Sequence, residues 1–245
     1  MARFKLTIEY NGGPFVGWQR QDNGLGVQQV LEEAIRGFTN EVVTLHCAGR
    51  TDAGVHALGQ VAHFDLLGEW VPDRIRDALN AHIRPHPISV IAAENVDAEF
   101  HARLSATERR YEYHILNRRS PPAIKRGCVW WVPSPLDTVG MSIAAEVLIG
   151  HHDFTSFRAT NCQAKSPLKT LDELAVARMG ETIVVTARAR SFLHHQVRNM
   201  VGTLGWVGQG KWSATNVERA LKARNRAAGG PTAPADGLFL VGVGY

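Results

Sequence analysis

The segment AGRTDAGVHA, Ala48 to Ala57, gathers two glycines, an arginine, an aspartate and a histidine. Its polar and apolar positions follow neither a helical nor a strand period. With a near-extended backbone from Arg50 to Asp52, both side chains point the same way, because i and i+2 share a face. A neighbouring guanidinium favours the charged form of a carboxylate, and an ionised, positioned carboxylate serves as a nucleophile or a general base. Gly49 and Gly54 permit backbone angles that other residues avoid and let a substrate come close. Taken by itself, the segment is more simply read as a surface turn in which Asp52 hydrogen-bonds its own backbone.

Two further stretches carry polar groups in suggestive company. In ERRYEY, Tyr111 and Tyr113 share one strand face and read first as core aromatics, with base stacking among arginines as the functional alternative. FLHHQVR reads first as a simple strand-to-helix junction, with the functional alternative of pointing Arg198 at an anion while Phe192 and Leu193 wall an apolar pocket. The histidine pairs 151–152 and 194–195 invite a metal reading, but adjacent side chains diverge and no helical His pair four apart encloses a Glu. No metal is expected. GLGVQQ lacks the third glycine of a dinucleotide loop and GTLGWVGQG lacks a phosphate-binding lysine, so no nucleotide cofactor is expected either. Glycines 202, 205 and 208 read instead as sites of close helix packing.

The elements that must position these residues follow from periodicity. RFKLTIEY places Phe4, Leu6, Ile8 and Tyr10 on one face of a half-buried strand. VQQVLEEAIRGF places Val27, Val30, Leu31, Ala34, Ile35 and Phe38 on one face of a helix. QVAHFDL alternates as a strand, and VPDRIRDALNAHI is a helix with Pro72 in its first turn. RRYEYHIL alternates, DTVGMSIAAEVLIG is a helix with Asp137 as N-cap and Gly150 as stop, and ETIVVTARARSFL is a long strand leading into the helix of HHQVRNMVGTL. A helix around NVERALKA, a Gly/Pro/Ala-rich loop and the strand LFLVGVGY end the chain. Two α+β halves result, 1–104 and 105–245, expected to form a mostly antiparallel sheet with helices on one side and a ligand-binding face on the other.

The 245 residues and 44% hydrophobic content provide for a sizeable core. No apolar run reaches the roughly 20 residues that span a bilayer, and the opening MARFKLTIEY has no signal-peptide pattern. Both point to the cytoplasm. Cys47, Cys128 and Cys162 are odd in number and far apart, which argues for reduced thiols. The net charge is +4, and the 27 basic residues divide into 21 Arg and 6 Lys, a bias toward the planar fork that grips phosphate. Arg103 to Arg126 holds seven basic residues against Glu108 and Glu112, an electrostatic footprint for nucleic acid.

GWQRQ (17–21), VQQVLEEA (27–34), GRTDAGVHA (49–57), FHARLSATERRYEYHI (100–115), HHDFTSF (151–157), FLHHQVRNMVG (192–202) and GLFLVGV (237–243) together resemble the tRNA pseudouridine synthase A family across nearly the whole chain. That resemblance implies the pseudouridine synthase fold and a cofactor-free isomerisation of uridine in the tRNA anticodon arm by a homodimer. It implies that Asp52 is the catalytic nucleophile, that Tyr111 stacks on the target uracil and assists proton removal from C5, and that Arg198 pairs with the aspartate. Leu193 would line the pocket, and Arg50 would help displace the base. The alternative on the same fold is a non-catalytic tRNA-binding or tRNA-folding protein.

Overall fold

The structure, a computed structural model, describes residues 1–245. The chain forms two compact units, Met1–Thr107 with Phe239–Tyr245, and Glu108–Leu238. The α+β class expected from the sequence holds, with five α-helices and ten strands.

The first unit contains strands β1 (Ala2–Tyr10), β2 (His46–Cys47), β3 (His56–Leu66) and β4 (Ile88–Val96), helices α1 (Val27–Thr39) and α2 (Pro72–His82), and nearly all of β10 (Leu238–Gly244). Its strand order is β4-β1-β3-β10, with β2 on β3. The period-two pattern of β1 is realised: Phe4, Leu6, Ile8 and Tyr10 are buried. On the opposite face Arg3 lies across from Asp65 and Lys5 from Glu94, two cross-strand ion pairs that fix the antiparallel register. β3 is buried on both faces along most of its length, as a central strand should be. On α1 the predicted stripe buries Val27, Val30, Leu31, Ala34 and Ile35, each large side chain contributing about 1.5–3 kcal/mol. Pro72 stands at the start of α2, where its missing N–H costs nothing, and Ile75 and Leu79 are buried.

The second unit contains β5 (Glu108–Asn117), β6 (Trp130–Val132), α3 (Thr138–Glu146), β7 (Gly150–Asp153), β8 (Leu168–Met179), β9 (Thr182–Ala189), α4 (Gln196–Gly208) and α5 (Ala214–Ala223). Its strand order is β5-β9-β8-β7, antiparallel throughout, with β6 parallel on β5. Asp137 caps α3 by accepting from the N–H groups of Val139 and Gly140. The helix ends at Glu146, however, and Gly150, at φ +110°, opens β7 instead of closing the helix. On α4, the three spaced glycines allow close approach as the spacing suggests. A Cβ on Gly202 would lie 1.9 Å from the carbonyl oxygen of Pro231, one on Gly205 would meet the Trp130 ring at 2.8 Å, and one on Gly208 would meet Met141 Sδ at 2.7 Å.

Candidate active site

Residues 48–55 form the loop between β2 and β3, and the first unit holds it from several sides. Gln60 on β3 donates from Nε2 to the carbonyl of Gly49 at 2.7 Å, and the N–H of Ala48 donates to Val61 O. The buried Thr51 hydroxyl lies 2.7 Å from the Tyr10 hydroxyl at the end of β1. Its carbonyl accepts from the N–H of Trp18, and Gly17 and Asp52 form an isolated antiparallel bridge. Gly17 sits at φ +117°, and a Cβ there would meet Thr51 O at 2.8 Å, so glycine is required for this approach. After Asp52 the chain turns, with Val55 N–H donating to Asp52 O and Gly54 at φ +77°. His56, buried, accepts the Gly12 N–H on Nδ1 and stacks its ring on Phe239 at 4.7 Å.

Burial alternates along this loop as an extended stretch requires. Thr51 is turned inward, while Arg50 is exposed and Asp52 half-buried. The turn after Asp52 is therefore real, but Asp52 stands on the rigid strand side of it. Arg50 forms no ion pair with Asp52, so the local pairing suggested by the sequence is not made; the guanidinium is left available on the surface. Burial pushes the thiol of Cys47, just ahead of the loop, up to about 12. It is therefore not a thiolate nucleophile at neutral pH.

Tyr111, Leu193 and Arg198 belong to the second unit. Tyr111 lies on β5 opposite Ala187 of β9, 8% exposed, with the edge of its ring set against Phe192 at 5.3 Å and 89°. Its neighbour on the same face has a different fate. Tyr113 is fully buried and donates its hydroxyl to Pro234 O at 2.8 Å, and burial holds its phenol well above the ordinary value, so it stays protonated. Only Tyr111 remains a candidate for contact with a substrate.

Between β9 and α4 the chain turns sharply at His195, a non-glycine residue at φ +62°, which costs about 1 kcal/mol. This angle brings the His194 and His195 rings to 4.0 Å, so adjacent histidines do not diverge here as a regular element would make them. The Leu193 N–H donates to Gln196 Oε1 at 2.8 Å, which locks the turn and leaves the Leu193 side chain 4% exposed. Arg198, half-buried on the first turn of α4, donates from Nε to Ala233 O at 2.9 Å, and Ala233 N–H donates back to Arg198 O. The Gly/Pro/Ala-rich loop thus orients this guanidinium, a partner that no local spacing could announce.

The basic stretch is only partly a surface feature. Arg109 is buried and donates to Arg190 O, and Arg118 is paired with Glu181, whereas Arg103, Arg110, Arg119, Lys125 and Arg126 are exposed. No helix is long and apolar enough to cross a membrane.

A family model described as tRNA pseudouridine synthase matches residues 6–104 and 144–245. The chain is 61% identical to the tRNA pseudouridine synthase A of Rhodospirillum centenum over all of both chains. It is 60% identical to that of Nitrobacter hamburgensis, again over all of both. With the same-named protein of Rhodospirillum rubrum it shares 56% over all of this chain and 88% of the relative.

Proposed function

The chain belongs to the tRNA pseudouridine synthase family, and we propose that it converts uridine to pseudouridine in the anticodon stem-loop of tRNA, with Asp52 as nucleophile and no cofactor. The reaction is an isomerisation. The C1′–N1 bond of the nucleoside breaks, the uracil turns, and its C5 is joined to C1′; the C5 proton is lost and N1 gains one. Atoms and electrons balance without an oxidant or a reductant.

The observation that carries this reading is the mounting of Asp52. Hydrogen bonds from β1, β3 and the Gly17–Trp18 segment hold its loop, which gives a half-buried carboxylate the fixed position a nucleophile requires. Tyr111 offers an aromatic ring held by Phe192 for contact with the displaced uracil. Leu193 supplies apolar lining, and the oriented guanidinium of Arg198 supplies positive charge for the carboxylate or the substrate. Arg50 is exposed, unpaired and on the same loop as Asp52, suited to meeting the RNA. A stacked base must leave its helix before reaction, at a cost of roughly a few kcal/mol, and aromatic and cationic contacts offset it. The protein is further proposed to act in the cytoplasm as a homodimer.

Tritium release tests the proposal. Transfer RNA carrying tritium at uridine C5 loses label when incubated with the protein alone, and Asp52→Asn stops the release while tRNA binding persists. Full release by the Asp52→Asn protein overturns the assignment of the nucleophile. Binding without release by the unaltered protein establishes the non-catalytic alternative.

A further inference from the structure

At the far end of β5 from Tyr111 the second unit carries a groove of about 490 Å³, walled by Pro121, Pro122, Trp130, Trp131, Arg126 and Asp236. Its size lies in the range of ligand sites, roughly 300–1,000 Å³. Parallel pairing sets Trp131 beside Leu116, five residues beyond Tyr111 on the strand, or about 17 Å at the usual rise. Trp131 therefore stands well away from the Tyr111 ring, while the Pro234 wall of the groove, which accepts the Tyr113 hydroxyl, lies nearer to it.

Both indoles are fixed before any ligand arrives. Trp131 donates from Nε1 to Arg118 O at 2.8 Å and is 38% exposed, so its ring is oriented yet open to solvent. Trp130 packs edge-on against the buried Tyr113 ring and over Gly205 of α4. The charges at the rim are unspent. Arg126 is exposed and enters no ion pair. Asp236, which also lines the groove, is exposed and likewise unpaired.

An immobilised aromatic face, a free guanidinium and a lone carboxylate acceptor form a set that matches a nucleotide. The ring stacks a base, the Arg126 guanidinium holds its phosphate, and the carboxylate accepts from an exocyclic amino group. A proline-rich or apolar protein partner would use the rings but leave Arg126 and Asp236 idle. We infer that this groove is a second RNA contact, taking an unpaired, amino-bearing nucleotide of the tRNA other than the reacting uridine. Such a contact would anchor the substrate independently of the chemistry.

Because that ligand presupposes a tRNA substrate, binding and turnover are measured separately. In filter binding of full-length tRNA transcript across a salt series, Trp131→Ala weakens binding roughly tenfold with the salt slope unchanged, and Trp131→Phe restores most of the loss. Arg126→Ala reduces the slope by about one. In tritium release, both alanine variants raise KM and leave kcat at the wild-type value. Unchanged affinity and slope in both variants overturn the inference, as does a change of oligomeric state in Trp131→Ala by analytical ultracentrifugation, which would make the groove a protein interface. If the unaltered protein binds tRNA but releases no tritium, the catalytic reading fails while the binding series still decides the groove.

Discussion

A buried hydroxyl pair sits one residue before the candidate nucleophile. Tyr10 and Thr51 face each other at 2.7 Å, and Thr51 is the residue before Asp52. Tyr10→Phe leaves the Thr51 hydroxyl without this partner, which costs about 1–2 kcal/mol, to be measured by urea denaturation. If the pair also positions Asp52, kcat in tritium release falls while KM stays near the wild-type value. A drop in stability with kcat unchanged would show that the loop is held by its backbone bonds alone. The loop itself was legible in the sequence because its glycines, Arg50 and Asp52 are contiguous. Its fastenings were not: Tyr10 lies 41 residues from Thr51, and Gln60 reads as one more polar residue of a strand. Ala233 as acceptor for Arg198 is equally remote, 35 residues away.

Among the elements, those with a clean period were readable and those without were hidden for specific physical reasons. β1, α1, α2, β5, β9, α4, α5 and β10 follow their patterns. β8 escapes because a bulge between Leu171 and Glu173 shifts the register, placing the buried Leu171 and Leu174 at an odd spacing that disguises alternation. β4, at the edge of its unit, buries only Ile88 and Val90, and β6 and β7 are too short to show a period. The central strand β3 carries an acid-sensitive tie of its own. The buried His63 accepts the Ala102 N–H on Nδ1, and its ring lies 5.1 Å from that of His46 and 4.7 Å from that of His101. Burial, then the neighbouring His101, Arg3 and His46, push it down to about 4 from an ordinary 6.5. Between these values the unfolded chain binds more protons than the folded one, so stability falls as pH drops from about 6.5 to about 4. His63→Gln should flatten the urea-midpoint profile across that window; an unaltered slope in the variant would mean that other groups dominate acid sensitivity.

At the scale of the whole molecule, the end of the chain completes the unit that its beginning starts. Phe239 and Leu240 pair in parallel with His56 and Ala57 of β3, the Thr107 N–H donates to Gly244 O, and the Tyr245 hydroxyl donates to Ala102 O. Val243 packs with Phe100 against the buried Ala48, Val61 and Ala102, and Val241 O lies where a Cβ on Gly59 would be at 2.7 Å. Composition gave no sign of this return, since LFLVGVGY follows the second half in sequence and reads naturally as its last strand. A chain ending at Leu238 should therefore lose stability in the first unit, not only at its own new terminus. Loss of buried Leu240 alone removes about 1.5–3 kcal/mol, and the exposed edge of β3 and the lost partner of His56 add to it. Hydrogen exchange resolves where the loss falls: amides of β1, β3 and the 48–55 loop should lose protection, while those of β8, β9 and α4 keep theirs. Because that loop carries Asp52, tritium release should fall in parallel with its protection. Uniform loss of protection across both units would mean that the chain unfolds as one cooperative body, and wild-type protection in β3 would show that the strand stands without its C-terminal neighbour.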